Sequence, residues 1–397
     1  MTPVPYTIGL DARKLRDFGI GTYVRNLVRG LAAIDSENRY VLLVGPAGRE
    51  ILSDLPDNFR LVLEPSPVYS LREMAVLSWR LLRLRLDLYH ATHYVLPVYV
   101  RPRVVVTIHD IIHLLYPEFL PNTLAFLYAQ RMIRSSLERG TRIIAVSQST
   151  KADLQEHFEV DSGKIQVIHN GVEEEYRQRI PDEELERRLR ALGLSRPYLL
   201  FVGNPKPHKN LDRVVQAYAR ARELAPFDAP LVCVGDRGSQ EFKIRQRALN
   251  LGLGDRVRLL GHVAQEVLPA IYQGATLFLY PTLYEGFGLP VVEAMASGVA
   301  VITSNTSALK EVAEGYAHLV DPLDVEGMAK AIARCMSDPE HRATLARLGQ
   351  RRAEDFRWEK AARKTLAVYR AALAAPEPAS PVPAEAPSGE WRTGAAP

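Results

Sequence analysis

Two cysteines in 397 residues, Cys233 and Cys335, are too few for a disulfide framework, so a reducing compartment is expected. No apolar run approaches the roughly 20 residues that cross a bilayer. The start, Met1-Thr-Pro-Val-Pro-Tyr-Thr-Ile, has no basic stretch leading into an apolar one, so no secretory signal is expected. Net charge is scarce too: 50 basic against 46 acidic residues leave +4, too balanced for a nucleic-acid binder. These absences point to a cytoplasmic protein whose membrane contact, if any, is peripheral. What is present is ordinary globular material, 47% hydrophobic and 24% charged, long enough to bury a sizeable core. At about 150 residues per domain it predicts two or three domains, two being economical.

Short apolar runs alternate with amphipathic stretches, the pattern of an α/β protein with parallel sheets. Strands are expected at Thr7–Leu10, Tyr40–Val44, Leu86–Tyr89, Val104–Ile108, Ile143–Val146 and Ile165–Ile168, with helices at Thr22–Ile34, Leu124–Arg139 and Ser149–Phe158. The second half repeats the plan, with strands at Tyr198–Val202, Leu231–Val234, Val257–Leu260, Leu277–Tyr280 and Val299–Thr303 and helices at Leu211–Leu224 and Gly327–Met336. Asn170-Gly171 is a turn dipeptide, and Pro181–Leu192 reads as a highly charged, solvent-type helix at the join. Two doubly wound halves then face each other, residues 1–178 and 195–355, leaving a cleft where the strands end. A last helix covers 356–375. Residues 376–397, rich in Pro, Ala, Ser and Glu, read as a disordered tail.

The chemistry concentrates in Leu277-Phe-Leu-Tyr-Pro-Thr-Leu-Tyr-Glu-Gly-Phe-Gly-Leu-Pro-Val-Val-Glu-Ala-Met-Ala-Ser-Gly298. A strand ends at Pro281, and a loop carries Glu285, Gly286 and Gly288. A helix begins near Pro290, whose fixed φ suits a first helical position, and Gly298 caps its far end. Without side chains, Gly286 and Gly288 let a ligand approach the backbone. The amides around Phe287–Leu289 lie at a helix N-terminus, where phosphate is favoured. Glu285 in the loop and Glu293 on the helix can face one ligand, and ionised carboxylates accept from paired sugar hydroxyls.

Glu285 and Glu293, embedded in Glu-Gly-Phe-Gly-Leu-Pro-Val-Val-Glu-Ala, closely resemble the signature of family 4 retaining glycosyltransferases. That resemblance implies the GT-B architecture, two Rossmann-like domains facing a central cleft, and a nucleotide-sugar donor used without cofactor or catalytic metal. Glu293 would bind the donor ribose and Glu285 would lie near the donor sugar. Gly286, Phe287, Gly288 and Leu289 would meet sugar hydroxyls and phosphate through their backbone. The N-terminal domain would bind the acceptor, the C-terminal domain the donor, and the last helix would cross back to the first domain.

Further segments match the same family. In Phe201-Val-Gly-Asn-Pro-Lys-Pro-His-Lys-Asn210, Lys209 stands where the family places a lysine on the donor diphosphate. His208 replaces the family arginine, and Lys206 is the candidate second cation. Cations suit this position because a leaving nucleotide gains charge in the transition state. Thr306 and Ser307, before a short helix, form a further candidate anion site; Ser or Thr there equally serves as an N-cap. Gly19 and Gly21, in Phe18-Gly-Ile-Gly-Thr-Tyr23, permit a tight turn near a phosphate or sugar. Val24 stands where a dinucleotide fingerprint needs its third glycine, and no acidic residue ends the second strand, so an NAD-dependent oxidoreductase fits poorly. His109 and Asp110 end a strand; the resemblance puts His109 on the donor sugar and has Asp110 orient donor or acceptor. His90, His93 and His113 nearby leave a metal site as an alternative, though their spacing is no known ligand pattern.

In residues 69–88, Arg72, Arg80, Arg83 and Arg85 accompany Trp79 and many leucines. Such a segment can lie on an anionic membrane or receive a lipid-linked acceptor, and fits equally an ordinary core-facing helix. The wording Gly-Ile-Gly-Thr-Tyr, Ile-His-Asp and His-Lys-Asn-Leu resembles the mannosyltransferase-like branch that builds bacterial surface polysaccharides. It implies GDP-mannose as donor, a UDP-sugar being the alternative, and a glycan or lipid-linked acceptor at the inner face of the cell membrane. An epimerase or phosphorylase on the same architecture, and a non-catalytic binding protein, are the remaining rivals.

Overall fold

Runs such as Val104-Val-Val-Thr-Ile108, apolar at consecutive positions, are those of strands covered on both faces, and parallel sheets bury both faces. The computed structural model describes residues 5–66, 71–235 and 240–376. Its first sheet holds β1 (Thr7–Ala12), β2 (Arg39–Val44), β3 (Phe59–Leu63), β4 (Leu88–Ala91), β5 (Arg103–Ile108), β6 (Arg142–Ala145) and β7 (Ile165–Val167). The second holds β8 (Leu199–Val202), β9 (Leu231–Val234), β10 (Val257–Gly261), β11 (Leu277–Tyr280), β12 (Val301–Ser304) and β13 (His318–Val320). Their orders are β3-β2-β1-β4-β5-β6-β7 and β10-β9-β8-β11-β12-β13. Among the described residues every strand pairing is parallel. Strand order reverses between β1 and β4, and again between β8 and β11. At such switch points the loops diverge and leave a crevice.

Several expectations need correction. The strands β3 and β13 were not anticipated: Arg60 interrupts the apolar residues of Phe59–Leu63, and His318–Val320 is three residues long and opens on a histidine. The strand expected at Leu86–Tyr89 is β4, two residues later, because Asp87 turns its carboxylate to the Thr7 amide (2.7 Å) before pairing starts. The helix expected from Thr22 begins at Phe18, so Gly19 and Gly21 belong to its first turn rather than to a preceding loop. The charged helix at the join spans Asp182–Ala191, and it is not wholly a solvent helix. Leu185 and Leu189 are buried in the second domain's core.

The chain passes between the two sheets twice at one place. Val172 donates its amide to the Phe356 carbonyl (3.0 Å), and Gly171 lies so close to Trp358 that any side chain there would overlap its backbone. The last helix, Trp358–Leu373, buries Trp358, Ala361, Ala362, Leu366, Tyr369 and Leu373 at helical spacing. This stripe packs on helix Phe18–Ile34 of the first domain, with Gly30 opposite Ala362. Each large side chain so buried contributes about 1.5–3 kcal/mol. The expected tail, from residue 377 onward, lies outside the described residues.

Candidate active site

Lys209 follows β8 and Glu285 follows β11, so the second domain's switch point brings them together. Pro207–Lys209 forms one 3-10 turn, and Asn210 leaves it with φ 62°. The buried Asn210 side chain donates through Nδ2 to the carbonyls of Pro281 (2.9 Å) and Pro322 (2.7 Å), tying this turn to the loop after β11. Lys209 Nζ then donates to Glu285 Oε1 (2.6 Å) and to the Tyr280 hydroxyl (3.0 Å). Burial opposes the ammonium charge, but the Glu285 carboxylate and Tyr280 outweigh it, and the Lys209 pKa rises above its ordinary value. The site therefore holds a fixed cation.

The Glu285 amide donates to Ser307 Oγ (3.1 Å). Gly288, at φ 97°, opens helix Leu289–Ala296, with Pro290 in its first turn and Gly298 just beyond its end at φ 74°. Glu293 faces a different environment from Glu285. Burial raises its carboxyl to about 7, the Tyr272 hydroxyl (2.8 Å) opposes that rise, and Glu173 adds to it. Glu173 accepts from Asn26 (2.9 Å) and Gln265 (3.0 Å), and Gln265 accepts from Arg25 (2.7 Å). Those bonds join the first domain's opening helix to the second domain.

On the first domain's side, His109 and Asp110 follow β5. His109 Nε2 is bonded to the Thr92 carbonyl (3.0 Å), and its ring meets Tyr23 edge-on at 4.9 Å. Burial lowers its pKa, the Thr92 bond and Asp110 only partly opposing, so the imidazole is neutral at pH 7. Asp110 accepts the Ile112 amide (3.0 Å). The expectation that Gly286 and Gly288 leave room for a ligand is corrected: a Cβ on Gly286 would overlap the His109 carbonyl, and one on Gly288 would overlap Leu309. The glycines are needed because protein backbone and side chain come that close. Gly21 is likewise pressed against the Leu15 carbonyl of the segment leading into its helix, whereas a Cβ on Gly19 would only reach van der Waals distance, 3.9 Å, of Leu289 across the cleft.

The remaining candidates divide. Lys206 is exposed at the start of the 3-10 turn. His208 is held neutral, its pKa lowered to about 3 by burial and then by Lys209 and Lys206, and its ring meets Phe119 of the first domain at 5.5 Å. The Ser307 hydroxyl is occupied by the Glu285 amide, and Thr306 Oγ1 donates to the Leu283 carbonyl (3.4 Å). His90 is a core residue bonded to Tyr369 (2.6 Å) and Thr107 (2.8 Å). Among the described residues no group of three His, Cys, Asp or Glu could hold a metal ion. Sequence reasoning missed Tyr272, Tyr280, Thr150, Glu173 and Glu311. Tyr280 alone carried a signal, ending the strand just before the glutamate loop.

Two parallel-sheet Rossmann-like domains meeting at their switch points, with a cation–carboxylate pair in the crevice, define a GT-B-type cleft enzyme. Residues 182–352 match Glycosyl transferases group 1, and residues 19–176 match Glycosyltransferase Family 4. The Escherichia coli O-antigen chain mannosyltransferase B is 30% identical over 300 residues, 74% of this chain and 76% of the relative. The Salmonella typhimurium O-antigen chain mannosyltransferase RfbU is 29% identical over 63% of this chain, which spans 65% of that relative's length. The structure of Anabaena HepE in complex with UDP and glucose superposes with a TM-score of 0.76 at 20% identity, covering 92% of this chain and 100% of that one. The chain belongs to the group 1 glycosyltransferases and has the GT-B fold. No helix among the described residues is long and apolar enough to cross a membrane.

Proposed function

We propose that this glycosyltransferase moves mannose from GDP-mannose to a hydroxyl of a glycan or lipid-linked acceptor in surface-polysaccharide synthesis, retaining the anomeric configuration. The observation that carries this reading is the charged Lys209 held by Glu285 at the switch point. In the proposed course the acceptor oxygen attacks from the face the nucleotide leaves. The bond from sugar to phosphate oxygen breaks, and the leaving phosphate takes the acceptor proton. Lys209 stabilises the charge that develops on that phosphate. Glu293 receives the ribose hydroxyls, and the amides around Phe287–Leu289, at the start of helix Leu289–Ala296, meet the sugar and phosphate. Neither metal nor cofactor enters this scheme. The mannosyltransferase names of the two relatives support the choice of donor.

The test is nucleotide release and product NMR with purified protein on GDP-mannose, UDP-glucose and UDP-N-acetylglucosamine, with lipid-linked and free glycans as acceptors. An α-linked mannosyl product is expected. A β-linked product overturns retention, and full transfer by Glu285→Ala overturns the site.

Peripheral membrane contact through helix Leu71–Leu84 belongs to the same proposal. Trp79 and Leu82 are 51% and 44% exposed, and the Arg83 guanidinium lies 3.6 Å from the centre of the Trp79 ring. Arg80 instead belongs to the fold, paired with the buried Glu64 (2.8 Å). Flotation with anionic liposomes is expected to carry the wild type and to lose Trp79→Ala and Arg83→Ala. A wild type that stays at the bottom ends the idea.

A further inference from the structure

Besides the Arg25–Gln265 bond, the two domains touch through a helix of the first domain, Gln148–His157. It has Ser147 as its N-cap, with the Thr150 amide donating to Ser147 Oγ (2.9 Å). Two further first-turn amides are satisfied from the other domain. Gln148 and Ser149 donate to the Glu311 carboxylate at 2.9 and 3.2 Å. Glu311 Oε1 also bonds His169 Nε2 (2.6 Å), on the segment that leaves β7. A carboxylate at a helix N-terminus, with charge-assisted bonds to amides, is a strong local contact.

Two connections run from this contact to the active site. Thr150, in the helix's first turn, directs its hydroxyl at the carbonyls of both His109 and Gly286 (3.3 Å each), so one side chain spans the two sides of the cleft. Glu311 lies four residues after Ser307 on helix Ser307–Ala313, and Ser307 Oγ accepts the Glu285 amide. One short helix therefore presents Ser307 to the glutamate loop and Glu311 to the opposite domain. The His169 ring adds a third link, lying 5.9 Å from Phe287 and 5.7 Å from Phe356.

We propose that Glu311 is the positioning residue of domain closure: by capping helix Gln148–His157 and bonding His169, it seats Thr150 between the His109 and Gly286 carbonyls and sets the spacing of the cleft. Glu311 touches neither donor nor acceptor in this role. Its removal leaves each domain's fold intact and lets the domains part, so that the reacting groups lose alignment and water reaches the donor.

The structural arm of the test needs no substrate. Cys233 and Cys335 are buried, so spin labels can be directed to Glu50→Cys and Lys330→Cys, exposed positions on the two domains. Electron–electron distance measurement is expected to give one narrow distribution for the otherwise wild-type protein and a longer, broader one for Glu311→Ala. The kinetic arm rests on the proposed donor. With GDP-mannose, Glu311→Ala should lower kcat by roughly 10- to 100-fold, the cost of misplacing reacting groups by about an ångström, with the donor KM little changed. Hydrolysis should rise relative to transfer. Glu311→Gln, which keeps the shape and one acceptor, should fall between the two, and it carries both arms if Glu311→Ala does not fold. Glu314→Gln, one turn on and exposed, should behave as wild type. An unchanged distance distribution in Glu311→Ala and Glu311→Gln overturns the proposal, as does a raised donor KM at constant kcat. If the wild type leaves GDP-mannose untouched, the donor reading fails while the distance measurement still decides the role of Glu311.

Discussion

The two sides of the cleft are built from different electrostatic material. The first domain contributes imidazoles kept neutral: burial lowers His109, and it lowers His93 well below the ordinary range, with Lys14 adding to the effect. The second domain contributes a fixed ammonium on Lys209 and two carboxylates with opposite fates, Glu285 paired and Glu293 raised to about 7. Low-dielectric surroundings strengthen whichever charges remain inside them. The side holding the charge is thus the one on which a departing nucleotide diphosphate is stabilised. The neutral imidazoles approach it without a like-charge penalty, while the first domain's own charges beside them are Lys14 and the Asp110 carboxylate.

The sharpest way to break this comparison is Lys209→Ala. If the charged side carries the departure of the nucleotide, kcat should fall by about 10²- to 10³-fold, in line with the loss of one preorganised electrostatic group. Steady-state rates measured beside those of His109→Gln decide the matter. Equal losses in both variants would mean that the two sides share the charge stabilisation.

Next comes Gly286→Ala, which tests the contact between the sides. An added methyl would overlap the His109 carbonyl, backbone that cannot swing away, so the domains must separate. We expect kcat to drop by about 10²-fold while the melting temperature of each domain stays near wild type. A fully active Gly286→Ala would show that catalysis does not need this approach.

Glu293 supplies a pH test in which two readouts move in opposite directions. Its carboxyl titrates at about 7 in the folded protein against an ordinary 4.5, so the native state holds an extra proton between those values. Folding stability from this group therefore declines as pH rises through that window, by up to about 3 kcal/mol in total. Glu293→Gln should be the more stable protein above pH 7. Ribose hydroxyls donate to the ionised form, so GDP affinity by calorimetry should rise as pH rises towards 7, by at most about tenfold per unit. Glu293→Gln should flatten that profile, and a wild-type affinity independent of pH would remove Glu293 from the nucleotide site.

Much of the fold was legible because parallel strands buried on both faces write themselves as consecutive apolar residues. β5 and β11 stand out for that reason, whereas β3 and β13 lie at sheet edges and carry no such run. The second domain's share of the site was legible too, since Glu285, Gly286, Gly288 and Glu293 occupy one short stretch shaped by local turn chemistry. The clearance at Gly286 was misread because the group that fills it, the His109 carbonyl, comes from the other domain. Glu311 and Gln148 are 163 residues apart, and each alone reads as an ordinary helix residue. What one domain does to the other leaves no local pattern.

The smallest effect is expected from Tyr284→Phe, which separates holding the domains together from holding the donor. The Tyr284 hydroxyl, on the glutamate loop, donates to Asp153 Oδ2 (2.6 Å) on helix Gln148–His157. Burial raises the Asp153 carboxyl, and the Tyr284 bond works against that rise. Removing the hydroxyl deletes one bond across the cleft and leaves the ring, the loop and the Glu311 contacts in place. The closed arrangement should lose about 1 kcal/mol, or up to about fivefold in population. That loss should fall on kcat, with the donor KM unchanged, because nothing on the charged side has moved. A donor KM that rises more than kcat falls would instead place Tyr284 among the groups that hold the donor, and the division between a docking side and a charged side would have to be redrawn through the glutamate loop itself.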